Sequence, residues 1–295
     1  MAQARQYPFQ KIIKTLLPPA VARRLDRRIK LYLCDAVVVS YPKCGRTWLR
    51  AMLTLYFARL YGTPKDLLID FANLHLLDPR VPRIYFSHEV DYKGAPAGVR
   101  IDRRRLARKK LIFLARDPRD VIVSLYAHRV HRDRDWEGPL EAFIDADEGG
   151  LATALRYYQL WNDFLAGHRE AVVLRYEDVH ADPAAALATV LRHLGQAVDE
   201  AALDACIEES AFDRLKRMEA RSEFRSGRLS ARNLDNPQAA KVRRGIVGGF
   251  VEDLNPATAR AVGRRMESHL RGAFGYRAGH IAAGQQKGES SGAEN

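Results

Sequence analysis

The chain has 295 residues, 47% of them hydrophobic, with a formal charge of +12 and a pI near 9.7. That suits one large α/β domain or two small ones, and the charge points either to an anionic partner or simply to a soluble protein of high pI. No apolar run approaches the roughly 20 residues of a membrane span, and the N-terminus lacks the apolar stretch of a secretory signal.

Three cysteines, Cys34, Cys44 and Cys206, are an odd number without metal-ligand spacing, and they read as thiols of a reduced, cytoplasmic protein. Residues 1–34 are basic: Arg5, Lys11, Lys14, Arg23, Arg24, Arg27, Arg28 and Lys30 are opposed by Asp26 alone. With Ile12, Ile13, Leu16, Leu17, Leu25 and Ile29 interspersed, the segment reads as a peripheral helix packed on the domain. A lid, a membrane-surface contact or a partner contact are the alternatives.

An α/β alternation follows. Val37–Ser40 is a β-branched strand, Thr47–Tyr61 an amphipathic helix with Leu49, Leu53, Tyr56 and Leu60 on one face, and Ile84–Phe86 a short strand. The continuous apolar run KKLIFLARD has the character of a parallel strand. Asp117-Pro118 then caps a helix expected to run to about His131. Leu151–Gly167 reads as a helix and AVVLRYEDV as a strand. Asp182-Pro183 opens a helix that stops at Gly195, and Asp199–Ser210 and Pro256–Leu270 are further helices. Residues 221–250 are irregular and read as a mobile lid, and residues 278–295 as a disordered tail. The expected architecture is a single P-loop-like α/β domain over residues 35–277, its central parallel sheet flanked by helices on both faces. Ligands belong outside the strands' carboxyl ends.

Two strand-to-helix turns carry phosphate-site chemistry. In VVVSYPKCGRTWLRAML a Lys and a Gly sit where a helix begins. Free backbone N–H groups and the helix dipole favour an anion there, Gly45 allows close approach, Lys43 adds a charge and Thr47 a hydroxyl. Trp48 reads either as a flat face for a purine or as core. In LARDPRDVIVSLYAH, Arg116 leaves the strand end and Ser124 lies two helical turns beyond Asp117, a pair able to grip a second phosphate. The plain alternative is an Arg paired with Asp117 or Asp120. A third element, KVRRGIVGGF, offers Arg243-Arg244-Gly245 as a dibasic turn able to close over a phosphate.

Taken together, a Lys-before-Gly loop, R-x7-S at the next strand end and a late Arg-Arg-Gly resemble the sulfotransferase family that uses 3′-phosphoadenosine 5′-phosphosulfate (PAPS), over about residues 37–250. The family's Y-P-K-[ST]-G-[TS]-[TS]-W stands here as Tyr41 to Trp48, with Cys44 and Arg46 in place of hydroxyl residues. The resemblance implies that Lys43, Cys44, Gly45, Arg46 and Thr47 bind the 5′-phosphosulfate, and that Trp48, Tyr176, Ser210 and Phe212 surround the adenine. It assigns Arg116, Ser124, Arg243, Arg244 and Gly245 to the 3′-phosphate. The usual Asp-Trp after that last motif is Gly249-Phe250 here, which leaves the far end of its loop without the family's support.

His88 in IYFSHEV matches the family's catalytic His, with Phe86 replacing a Lys, and Lys43 would stabilise the leaving group. Glu89 is the rival base; in an extended segment it and His88 face opposite sides. The resemblance thus implies transfer of a sulfuryl group from PAPS, without a metal, to a hydroxyl-bearing acceptor, releasing adenosine 3′,5′-bisphosphate (PAP). Residues 62–105 and 221–242, with Phe71, Leu74, Leu76, Leu77, Tyr85 and Tyr92, are the expected acceptor walls. Neither nucleic acid nor a transmembrane span is expected. The rival functions are a P-loop kinase of a small molecule, disfavoured by the missing G-K-[ST], and a non-enzymatic polyanion-binding protein.

Overall fold

Four parallel strands form one sheet in the order β2-β1-β3-β4: β1 Ala36–Ser40, β2 Ile84–Ser87, β3 Lys110–Ala115 and β4 Ala171–Arg175. They are seen in a computed structural model that describes residues 7, 12–13, 15–226, 229 and 236–278. The tail expected to be disordered lies outside the described residues beyond Ala278, as does much of the basic N-terminus before Thr15.

The sequence dictates this sheet directly. Every residue of β1 and all but the first of β3 are buried, which is why both read as unbroken apolar runs rather than alternating ones. Helices flank the sheet, making a single α/β domain. The chain runs from β1 to β2 on one side and then crosses to β3 on the other, so the β1/β3 boundary is a topological switch point.

Register then fixes what meets there. Val39 pairs with Ser87 and Ser40 with Leu114, while Ala115 pairs with Arg175. The loop after β1, His88 after β2, Arg116 after β3 and Tyr176 after β4 therefore leave the same end of the sheet.

Helix boundaries differ from expectation in instructive ways. The helix after β1 spans Arg46–Tyr61 and is buried on every face from Leu49 to Ala58, not amphipathic. Even Arg50 is interior, its guanidinium bonded to the Ile69 carbonyl (2.6 Å) and lying 3.8 Å from the Phe86 ring. The helix capped by Asp117 spans Pro118–His128, and a wider π-type turn over Arg129–Asp133 carries the chain on to Asp133. Asp182, Asp199 and Asn255 cap Pro183–His193, Glu200–Glu209 and Pro256–Leu270 by accepting N–H groups of the first turn. An unforeseen helix occupies Phe212–Ala220.

The region read as a mobile lid is tied down where it is described. Phe224 and Leu229 are buried with Ala51, Leu68 and Leu215 in a small second core, and Arg225 bonds to Asp66. Near the N-terminus the helix Pro19–Leu33 packs through Ala22 and Leu31, and Lys109 bonds to the carbonyl oxygens of Tyr32 and Cys34.

Candidate functional site

A cleft of about 360 Å³ opens at the carboxyl ends of the strands. It is lined by Lys43, Gly45, Arg46, Thr47, Trp48, His88, Arg116, Ser124, Tyr176, Phe212, Arg243, Arg244 and Gly245, so three separated motifs and the histidine meet in one place.

The loop after β1 turns sharply because Lys43 (φ 73) and Gly45 (φ 87) both adopt left-handed backbone. Gly45 is required twice over: a Cβ there would also lie 2.8 Å from the Tyr176 ring. Gly45 is the N-cap of the helix Arg46–Tyr61, and no side chain caps that end. Its first N–H groups and the positive end of the helix dipole therefore face the cleft as an anion site.

Around this turn the cations crowd. Burial, then Lys241, Arg116, Arg243 and Arg132, pull the Lys43 ammonium down to about 7. Burial and the same cluster, Lys43 first, push His128 down to about 3. Arg243 is lowered by burial and by neighbouring Arg244. A site where like charges disfavour one another to this extent is built for a multiply charged anion.

Arg116 is held from three sides. Its guanidinium donates to the Lys43 carbonyl (3.3 Å), to the Ile246 carbonyl (2.8 Å) and to Asp120 (3.3 Å), and lies 4.2 Å from the Tyr176 ring centre. Of the two carboxylates expected as alternative partners, Asp120 is the one it meets, and Asp117 is engaged with Arg119 at 2.6 Å. Asp120 is buried and also accepts the N–H groups of Gly248 (2.9 Å) and Phe250 (3.0 Å). At the other end of the same loop, buried Glu219 accepts from the N–H groups of Lys241 and Val242, each at 2.8 Å, and from Arg132. Two buried carboxylates thus staple the dibasic loop at both ends and leave Arg243 to Ile246 along the cleft. The Asp120 staple and the buried Phe250, 4.4 Å from the Arg119 guanidinium, hold the far end. Arg244 pairs with Glu252 and Asp253, so it reaches the cleft already partnered.

An aromatic wall stands beside the loop. Trp48 donates its indole N–H to the Ser210 carbonyl (3.1 Å) and meets Tyr176 edge-on at 6.0 Å, with His180 adjoining. Two expected ligands lie outside the lining. The Ser210 side chain is buried and bonded to the Ile207 carbonyl, so this residue serves Trp48 through its backbone. The Cys44 side chain turns into the core, its sulfur 3.3 Å from the Tyr158 hydroxyl, and burial drives the thiol up to about 12. Apolar character favours the interior for the sulfur where a hydroxyl would have sought the cleft.

His88 places Nδ1 2.7 Å from the Ser40 carbonyl and Nε2 2.6 Å from an Arg46 nitrogen. Glu89 adopts left-handed backbone (φ 57), turns away, and pairs its buried carboxylate with the half-exposed Arg27 of the helix Pro19–Leu33. Of the six apolar residues named for the acceptor walls, Phe71 and Leu74 are buried and Tyr92 lines the cleft, while His88, Lys241 and Val242 of the same two segments line it as well. His128, Lys241 and His180 were missed, and Asp120 was foreseen only as a partner of Arg116, not as the anchor of the distant loop. His128 stood on the right helix, but nothing local set it apart from surface residues.

A family model described as "Sulfotransferase domain" matches residues 33–274. The chain is 25% identical over 236 residues to sulfotransferase 1A1 of Canis lupus familiaris, covering 73% of this chain and 76% of that protein. It is 23% identical over 277 residues to sulfotransferase 1C2 of Homo sapiens, covering 83% and 87%. Among solved structures, retinol dehydratase in a complex with retinol and PAP superposes with a TM-score of 0.58 at 18% identity, covering 90% of this chain and 95% of that one. Mouse sulfotransferase SULT7A1 complexed with PAP gives 0.55 at 18%, covering 81% and 85%. At such identities the structural likeness is one of fold.

Proposed function

This chain belongs to the sulfotransferase domain family, and we propose that it moves the sulfuryl group of PAPS to the hydroxyl of an acceptor, releasing PAP. Supporting this is one observation above all: Lys43, Arg116 and Arg243, from three distant stretches of chain, crowd a single cleft at the switch point of the sheet, with His88 on its wall. A donor with phosphate groups at both the 5′ and the 3′ position of its ribose needs two separated basic sites. The uncapped helix start with Lys43 suits the 5′ end, and Arg116, Ser124 and the stapled Arg243–Gly245 turn suit the 3′-phosphate. Trp48, Tyr176 and Phe212 supply apolar faces for the base between them.

In the reaction the acceptor oxygen forms a bond to sulfur while the bond from sulfur to the 5′-phosphate oxygen breaks. The proton of the acceptor passes to Nε2 of His88, and Lys43 offsets charge growing on the departing oxygen. His88 is the base in this reading because Glu89 is consumed by Arg27. The acceptor is a hydroxyl compound. Titration calorimetry with PAP tests the donor site, and mass spectrometry of products from a panel of hydroxyl compounds incubated with PAPS tests the transfer. Failure of PAP to bind at micromolar concentrations overturns the reading.

A further inference from the structure

Arg46 stands at the first position of the helix that follows the anion-binding turn, and its guanidinium reaches His88 42 residues away at 2.6 Å. A guanidinium can only donate and a carbonyl can only accept. Nε2 of His88 must therefore present its lone pair to Arg46, and Nδ1 must carry the hydrogen that goes to the Ser40 carbonyl. The two contacts fix both the tautomer and the orientation of the ring, whose edge is packed against Tyr92 at 5.4 Å. They also occupy the nitrogen that an acceptor hydroxyl needs. The same guanidinium lines the cleft beside Lys43, Gly45 and Thr47, where the 5′ end of the donor would lie. An anion there and the imidazole therefore compete for one side chain, and the anion offers the stronger, charge-assisted bond.

We propose that Arg46 is a positioning residue for the base, engaging Nε2 of His88 while the Ser40 carbonyl holds Nδ1–H, and surrendering Nε2 when the donor draws the guanidinium back to the turn. The base is thus masked until PAPS is in place, and the donor precedes the acceptor. This inference rests on the sulfuryl-transfer reading for its second half alone; the tautomer is a property of the free protein.

The test is ¹⁵N spectroscopy of the full chain labelled at histidine, with the His88→Gln spectrum identifying the ring. The free wild-type protein should show a protonated Nδ1 and a bare, hydrogen-bonded Nε2. Arg46→Met should lose the hydrogen-bonded signal of Nε2 while the Ser40 carbonyl keeps the hydrogen on Nδ1, and Arg46→Lys, which keeps a donor, should retain the Nε2 hydrogen bond and covers the case in which Arg46→Met does not fold. PAPS added without acceptor should shift the wild-type Nε2 signal. Persistence of the hydrogen-bonded Nε2 signal in Arg46→Met, or its loss in Arg46→Lys, overturns the proposal, as does an unmoved Nε2 signal in a protein that calorimetry shows to bind PAP. Absence of PAP binding would instead overturn the sulfuryl-transfer reading, with the free-protein spectra still deciding the Arg46 contact.

Discussion

Gly245 and Phe212 are packed backbone against ring so closely that a Cβ on Gly245 would lie 2.3 Å from the ring edge. Gly245 also adopts left-handed backbone (φ 68), a conformation that costs an ordinary residue about 1–2 kcal/mol. The dibasic turn can therefore follow the cleft only with glycine at this position. Gly245→Ala should displace the turn and weaken PAP binding about tenfold or more, read by titration calorimetry. Unchanged affinity in that variant would mean that the turn takes no part in holding the nucleotide.

Asp120 accepts from two backbone N–H groups and pairs with Arg116, all in a buried setting. Truncating it leaves the two buried N–H groups unsatisfied and takes the carboxylate from Arg116. Asp120→Ala should lower the unfolding free energy by about 3 kcal/mol or more in urea titrations. Amide exchange at residues 246–250 should accelerate in parallel. Asp120→Asn keeps one acceptor oxygen and should fall between the two.

The pH dependence of nucleotide binding should report Lys43. Burial and the surrounding cations hold its ammonium down to about 7 in the free protein, so above neutrality the group is largely uncharged. A bound anion favours the protonated form, so binding above pH 7 should take up as much as one proton, and affinity should decline as pH rises past that point. Calorimetry in buffers of differing ionisation enthalpy measures the uptake, which Lys43→Met should abolish. The folding sign is opposite in origin. Between about pH 7 and 10.5 the unfolded chain holds a proton on this group that the folded chain lacks, so the contribution of Lys43 makes folding more favourable as pH rises through that window.

His88 and Glu89 should separate cleanly. His88→Ala removes the proton acceptor and should reduce turnover by about 10²–10⁴-fold with the true acceptor. Glu89→Gln removes the charge of a buried carboxylate from its contact with Arg27 and should lower the melting temperature. Its turnover per folded molecule should stay within about threefold of wild type. A Glu89 variant that folds normally yet loses turnover would reverse the two roles.

The pattern of residues alone determined the sheet strands, the helix starts at Asp117-Pro118 and Asp182-Pro183, and the motifs around Lys43, Arg116 and Arg243. These are local signals: a β-branched run, an N-cap before Pro, a Gly where the chain must turn left-handed, each readable within a few residues. The tertiary structure decided which side chains face one another. It turned the Cys44 sulfur inward to Tyr158, gave Glu89 to Arg27 and the His88 ring to Arg46, and set Asp120 and Glu219 as staples for a loop far along the chain. Those partners are separated by some 20 to 130 residues, and pairing over such distances depends on the register of the strands and the packing of helices between them. No short window of sequence carries that information.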